Sequence, residues 1–172
     1  MTTKNVKRDY VFILLCIISI IASFIVFSLI YISESEYMLL FVSILFVMVL
    51  HELIHFTVIR FFCKYARITT LLRRGALMIE YDVLTAKEYI YTSLAPMIFI
   101  QIPLSILYIA TSSILVLMLA VLHVIGSIPD IFYAIKIAIT CRKCMLRLYK
   151  ENGKVKGYII VKPSGEETIY LI

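Results

Sequence analysis

Residues 46–62 read FVMVLHELIHFTVIRFF, an apolar stretch interrupted by two histidines and a glutamate in the pattern HExxH. Ionisable side chains are costly inside such a stretch, and where they occur they usually serve a function. Residues four apart share a helix face, so His51 and His55 can present imidazole nitrogens to one metal ion. Glu52 lies about 100° further round the helix, where it can act as general base toward a water molecule at that ion.

The composition around this stretch indicates a membrane protein. Of the 172 residues, 62% are hydrophobic and 16% are charged, and the mean hydropathy is +0.99. A soluble globular domain is far more polar. Four apolar runs, at residues 10–32, 37–62, 89–110 and 113–140, are long enough to cross the hydrocarbon core, which takes about 20 residues. The first run lacks a small-residue cleavage site, so we predict that it is a retained membrane anchor.

The basic residues predict how these spans are oriented. All 17 lysines and arginines fall within residues 4–8, 60–87 and 136–162. The positive-inside rule therefore places both termini and the middle loop on the cytoplasmic side, with the metal site toward the cytoplasmic leaflet. This topology accounts for the net charge of +6, so we predict the lipid bilayer as a partner and no nucleic acid.

A third metal ligand is expected because catalytic zinc sites use three protein ligands and leave one position open. Outside HExxH, the candidates well inside the apolar runs are His123 and Asp130. Counted along their helices, His55 and Asp130 both lie ~26 Å from the outer start of their spans, whereas His123 is two to three turns shallower. Gly126 and Pro129 can open the helix and turn the Asp130 carboxylate inward. We therefore predict Asp130 as the third ligand.

Two segments outside the spans are typical of β-structure. In the loop at residues 63–88, two β-prone runs flank residues 73–75 and predict a hairpin. Thr85 and Glu88 have the spacing of a capping box, which predicts a helix start near Ala86. The tail beyond residue 147 has turn residues at 152–153 and predicts a small β element.

These features define the predicted fold class, an all-α membrane protein. It has about four transmembrane helices, a short cytoplasmic β-hairpin between helices 2 and 3, and a β-prone C-terminal tail. We divide it into a transmembrane domain of residues 1–147 and a cytoplasmic tail of residues 148–172. Cys141 and Cys144 form a single CxxC on the predicted cytoplasmic side, where thiols stay reduced, so we interpret them as free thiols. The alternative is a metal-binding or redox-active pair.

The order of three motifs carries a resemblance. HELIH, SLAP and HVIGSIPDI, at residues 51–55, 93–96 and 123–131, resemble a family of small membrane-embedded zincin peptidases. That family is similar to the site-2-type intramembrane zinc metalloproteases. The resemblance covers residues 49–160 in arrangement and implies that His51, His55 and Asp130 hold Zn²⁺ while Glu52 activates water.

Two positions depart from the site-2 pattern. That pattern usually has an Asn after a Gly-Pro in the third helix, where Phe99 stands here, and a Gly after the Asp, where Ile131 stands. We expect His123 either to support a ligand or to donate a hydrogen bond to the developing oxyanion. The alternative is a hydrogen bond to a neighbouring helix that serves packing alone.

The predicted function is that of a zinc-dependent endopeptidase acting on a membrane protein or peptide within or beside the bilayer. An unwound substrate segment can dock on the β-prone run at residues 76–84, with Met78 and Glu80 as candidate docking positions. The alternative for this run is a hairpin packed on the membrane surface.

Two other functions are compatible with the polar residues. A non-catalytic metal-binding membrane protein, such as a transport or regulatory subunit, would use the same ligands without needing Glu52. With four spans, it would form a transport pathway only as an oligomer. Haem or quinone binding would need His123 as a second axial ligand.

Overall fold

The structure is a computed structural model that describes residues 4–8, 10–29, 33–71, 76–151 and 154–171. Most of these residues are helical. The described part of the chain contains six α-helices: α1 (Tyr10–Leu29), α2 (Glu34–Phe62), α3 (Ala86–Pro96), α4 (Ile102–Thr111), α5 (Ile114–Gly126) and α6 (Ile128–Thr140). A π-helix at Met97–Gln101 joins α3 directly to α4.

Helices α2 and α3 begin at capping boxes. At the start of α2, the Ser33 backbone N–H donates to the Glu36 carboxylate at 2.8 Å, and the Ser33 side chain accepts from the Glu36 N–H. At the start of α3, Thr85 N–H donates to Glu88 at 2.7 Å, and the Glu88 N–H returns to the Thr85 hydroxyl. The predicted capping box and the helix start at Ala86 are therefore confirmed.

Two helical stretches are long and apolar enough to cross a membrane. They are Glu34–Phe62 and Ala86–Thr111, and the pair α5 and α6 adds a third if the two helices form one span bent by 42°. Helix α1 is also apolar and is 20 residues long, but the part of it whose side chains are described without a gap, Leu14–Val26, is shorter than a span. The chain thus has the features of a membrane protein with two or three candidate spans.

The bend between α5 and α6 is where Gly126 and Pro129 were expected to open the helix. Ser127 lies at the bend and is fully buried. Its hydroxyl and its backbone N–H both donate to the His123 carbonyl, at 2.8 and 3.0 Å. Because α6 restarts at Ile128, Asp130 falls in its first turn.

The strands form two sheets. The first is a five-stranded sheet in the order β1-β7-β6-β5-β4, with β1 and β7 parallel and the other pairs antiparallel. The second is the hairpin of β2 and β3, in which Ala66 pairs with Tyr81. The strands are β1 (Lys4–Arg8), β2 (Ala66–Leu71), β3 (Ala76–Tyr81), β4 (Val83–Thr85), β5 (Met145–Glu151), β6 (Lys154–Val161) and β7 (Glu167–Leu171).

The predicted hairpin and the β-structure of the tail are both present, but the tail is not isolated. Its strands pair with β1 from the N-terminal segment and with β4 from the middle loop. The turns predicted at residues 73–75 and 152–153 lie outside the described residues. The division at residue 147 stays a prediction.

Two buried clusters fix the ligand-bearing helices against the strands. Ile59 of α2 and Cys63, which follows the end of that helix, pack with Leu84 of β4. Ile137 of α6 packs with Leu146 of β5, together with Ala86, Cys144 and Ile160. Burying one such Ile or Leu side chain contributes about 1.5–3 kcal/mol. The sheet is therefore the common support of α2 and α6.

The interpretation of Cys141 and Cys144 as free thiols is wrong for this structure, which joins them in a disulfide. Helix α6 ends at Thr140 and the chain turns at once into β5. This turn brings the two Cα atoms to 5.4 Å, a separation typical of disulfides.

Candidate metal centre

Three potential ligand atoms converge between α2 and α6. His51 Nε2 lies 3.0 Å from His55 Nε2 and 3.1 Å from Asp130 Oδ2. His55 Nε2 lies 3.5 Å from the same carboxylate oxygen. All three side chains are half-buried. The structure therefore brings together the three residues that the sequence predicted as ligands.

The size of this triangle fits a single zinc ion. Zinc binds histidine nitrogen and carboxylate oxygen at about 2.0–2.2 Å, so two ligands of a tetrahedral site lie roughly 3.4 Å apart. The three observed separations of 3.0–3.5 Å bracket that value. Two imidazoles and one carboxylate are also a ligand set of the kind found in catalytic zinc sites, with one position left open.

The orientation of His55 is fixed by a backbone carbonyl on α3. His55 Nδ1 donates to the Thr92 carbonyl at 2.9 Å. In a regular α-helix this carbonyl would accept from the N–H of residue 96, but Pro96 has no N–H. The proline thus frees the acceptor that His55 uses. Since a carbonyl only accepts, His55 carries its proton on Nδ1 and turns the lone pair of Nε2 toward the other two ligands.

His51 is held by a second chain of contacts. Its Nδ1 lies 3.3 Å from His123 Nε2, and His123 Nδ1 lies 3.2 Å from Gln101 Oε1. His123 is buried, with 7% of its surface exposed. Both of its ring nitrogens are therefore engaged, which favours the expectation that it supports a ligand over the expectation that it donates to an oxyanion.

The same contacts exclude haem between the histidines. His51 and His123 approach to 3.3 Å with ring centroids 5.4 Å apart. A porphyrin has no room between imidazoles at that separation.

Glu52 follows His51 on α2 and is half-buried. It is not one of the three converging residues. Among the residues that the structure describes, none forms a hydrogen bond or an ion pair with its carboxylate. Its carboxylate therefore has no partner within the described part of the chain, and Glu52 is not among the residues that line the cleft described next.

A cleft of about 270 Å³ leads to the ligands. His55 and Asp130 line it together with Thr92 and Ser93 of α3. Ile59 of α2 and Tyr89 of α3 also line it. Its remaining lining consists of strand residues of β3, β5 and β6, namely Ile79, Tyr81, Leu148, Val155, Gly157 and Tyr158. The cleft therefore connects the ligand cluster with the β-structure outside the apolar helices.

The two candidate docking positions lie on β3, the strand that forms one wall of this cleft. Met78 pairs with Thr69 and Glu80 with Arg67 across the hairpin. The Glu80 side chain is itself 5% exposed and bonded at 2.9 Å to Arg67 and to Lys150 of β5. Its carboxylate thus ties the hairpin to the five-stranded sheet and is not free for a ligand.

Gln101 was not identified from the sequence, although it contacts His123. The helical register counted from Pro96 directed attention to Phe99, which is 62% exposed. The π-helix changes this register, since each of its turns takes in one more residue than an α-turn. No feature of residues 97–101 predicts a π-helix, so the local sequence does not predict the contact between Gln101 and His123.

The helical, largely apolar chain has the features of a membrane protein, and its two histidines and one aspartate form a candidate site for a single metal ion. Residues 44–146 match the model of a family described as "Putative zincin peptidase". Since the match covers more than half of the chain, the chain belongs to this family. No match was found among curated proteins or among solved structures.

Proposed function

We propose that this protein is a zinc-dependent peptidase that hydrolyses peptide bonds of a protein embedded in the membrane or adjacent to it. One observation carries the proposal: the cleft ends on His55 and Asp130. A purely structural metal site is closed on all sides by protein ligands, whereas a catalytic site keeps an accessible position. The family match supports the same reaction class.

The side chains of the site would have two roles, metal binding and proton transfer. Zinc held by His51, His55 and Asp130 would polarise the scissile carbonyl and lower the pKa of a water molecule. Glu52 would accept a proton from a water molecule at the site while the oxygen of that water attacks the carbonyl carbon. The same carboxyl group then gives the proton to the leaving amine as the C–N bond breaks.

The connectivity of the five-stranded sheet supports four membrane crossings. One sheet contains β1, β4 and β5, so the segments before α1, before α3 and after α6 lie together. If α2 crosses the bilayer once, α1 must cross as well to bring β1 and β4 to the same side. By the same reasoning, α3–α4 and the bent pair α5–α6 form two further crossings.

We infer that the substrate enters from the side that holds the strands, which the positive-inside rule makes cytoplasmic. Helical substrates hide their peptide bonds, so a segment has to unwind before it can be cleaved. An extended segment in the cleft would run beside β3, whose Ile79 and Tyr81 line it. Backbone pairing with β3 would hold the segment by strand addition, with Met78 and Glu80 at the docking edge.

The test separates this proposal from a non-catalytic metal-binding protein, which needs the three ligands but not Glu52. Glu52→Gln keeps the shape of the side chain and removes its basicity. Mass spectrometry measures the rate at which each protein in detergent hydrolyses a complex peptide mixture. We expect this rate to be at least about 100-fold lower for Glu52→Gln than for the wild type, with zinc content unchanged.

Glu34→Gln is the matched control, since it makes the same change in the first turn of the same helix. It should leave hydrolysis at the wild-type rate. Equal hydrolysis by the wild type and by Glu52→Gln would contradict the peptidase mechanism. A wild type that holds zinc yet cleaves nothing would favour the non-catalytic alternative.

A further inference from the structure

The contacts of His51 continue into the protein as a relay of three side chains. His51 Nδ1 meets His123 Nε2 at 3.3 Å, and His123 Nδ1 meets Gln101 Oε1 at 3.2 Å. The three residues belong to α2, α5 and the π-helix. The relay thus joins the ligand to a helix that contributes no ligand itself.

Gln101, the last residue of this relay, determines which ring nitrogen carries the proton in His123 and in His51. An amide oxygen only accepts, so His123 carries its proton on Nδ1 and offers the lone pair of Nε2. His51 then donates from Nδ1 to that lone pair. Its Nε2 is left without a proton and faces His55 Nε2 and Asp130. Three lone pairs therefore point at one another, an arrangement that only a cation makes favourable.

We propose that Gln101 is a positioning residue of the metal centre, whose side-chain oxygen acts through His123 to hold His51 in the tautomer that binds zinc. The inference rests on the proposed metal-binding function and extends it by a residue that touches neither metal nor substrate.

Two features of its setting support this role. A side-chain amide in an apolar helix costs free energy unless it forms hydrogen bonds. The side-chain oxygen of Gln101 accepts one from His123. The buried imidazole of His123 in turn has no bulk water to replace that acceptor. The π-helix turns Gln101 toward α5 in place of Phe99, and π-turns of this kind recur at functional sites.

His55 provides an internal comparison. Its tautomer is set independently, by the Thr92 carbonyl on α3. The two ligand histidines thus have separate supports, and a change at Gln101 should reach His51 and His123 while leaving His55 as it was.

The experiment uses the fact that the chain has only three histidines, all of them in this site. Protein labelled with ¹⁵N in histidine alone reports the tautomer of each ring by NMR. The variants are Gln101→Leu, which removes the acceptor, and Gln101→Glu, which keeps one. Ser105→Ala is the control, because Ser105 lines the same groove between α4 and α5 as Gln101. The zinc dissociation constant of each variant is measured against a chelator.

In metal-free wild type we expect all three histidines to be protonated on Nδ1. Gln101→Leu should abolish that form for His51 and His123, preserve it for His55, and weaken zinc binding about 10- to 100-fold. Gln101→Glu and Ser105→Ala should match the wild type.

Unchanged tautomers and zinc affinity in Gln101→Leu would overturn the inference. Equal losses in Gln101→Leu and Gln101→Glu would also overturn it, since packing rather than the acceptor would then matter. A wild type that binds no zinc is a different result, which refutes the proposed function itself.

Discussion

Pro96 shows how one residue can prepare a ligand that it does not touch. By lacking an N–H it leaves the Thr92 carbonyl to His55, at 2.9 Å. In the sequence, the SLAP motif at residues 93–96 is one of the three motifs that carry the family resemblance. The structure adds a physical reason for its proline, which is that the Thr92 carbonyl is left free for His55.

Replacing Pro96 with alanine should weaken metal binding without lowering thermal stability. The alanine would donate its backbone N–H to the Thr92 carbonyl and compete with His55, so the zinc dissociation constant should rise about 10-fold or more. The same change removes a helix-breaking residue, so the thermal midpoint in detergent should not fall. Chelator competition and thermal unfolding measure the two effects, and undiminished zinc affinity would contradict this role of Pro96.

At the residue scale the sequence predicted which three side chains converge, and their role as metal ligands stays a prediction. HExxH is a local pattern whose spacing alone places two side chains on one helix face, and the depth count then favoured Asp130 over His123. Gln101 could not be found in this way, because its position depends on a π-helix that the neighbouring residues do not specify.

The hairpin of β2 and β3 is fixed to the main sheet by one buried carboxylate. Burial by itself would raise the pKa of Glu80, but the hydrogen bonds and charges of Lys150 and Arg67 outweigh it and lower the pKa below its ordinary value of 4.5. This contribution to stability is therefore complete above about pH 4.5 and is lost as the pH falls through the lowered pKa.

The expected result is that Glu80→Gln is less stable than the wild type at neutral pH by about 1–3 kcal/mol. Its thermal midpoint should also fall less steeply below pH 4.5. Glu166→Gln changes the exposed pair with Lys162 and should cost less than about 1 kcal/mol. If the thermal midpoints of Glu80→Gln and the wild type change with pH in the same way, the ion pairs of Glu80 with Arg67 and Lys150 do not have this role.

Strand docking is tested on β3 itself. Met78→Pro deletes one backbone N–H of the docking strand, so cleavage should fall while zinc content stays at the wild-type level. Leu77→Pro is the neighbouring control, because adjacent residues of a strand direct their N–H groups to opposite edges. If neither proline alters cleavage, the substrate does not pair with β3.

The elements themselves were largely predictable. A capping box and alternating β-prone runs are local signals, and both the start of α3 and the hairpin follow from them. The disulfide between Cys141 and Cys144 was missed. The redox argument treated the CxxC as a cytoplasmic motif, whereas its pairing depends on the tight turn from α6 into β5.

At the scale of the whole molecule, one sheet gathers strands from the N-terminal segment, the middle loop and the tail. No local pattern announces such pairing, because β1 and β7 lie more than 150 residues apart in the chain. The same sheet supports α2 and α6, and it forms two walls of the cleft that ends on the ligands. The candidate site thus combines apolar helices that hold the ligands with strands that shape the access to them.

The central claim, that His51, His55 and Asp130 hold one zinc ion, is tested most directly by the zinc content of the detergent-purified protein. We predict one zinc per chain in the wild type and in Glu52→Gln, with a large loss in Asp130→Ala. A wild-type protein that contains no zinc and takes up none when the metal is added would contradict the claim.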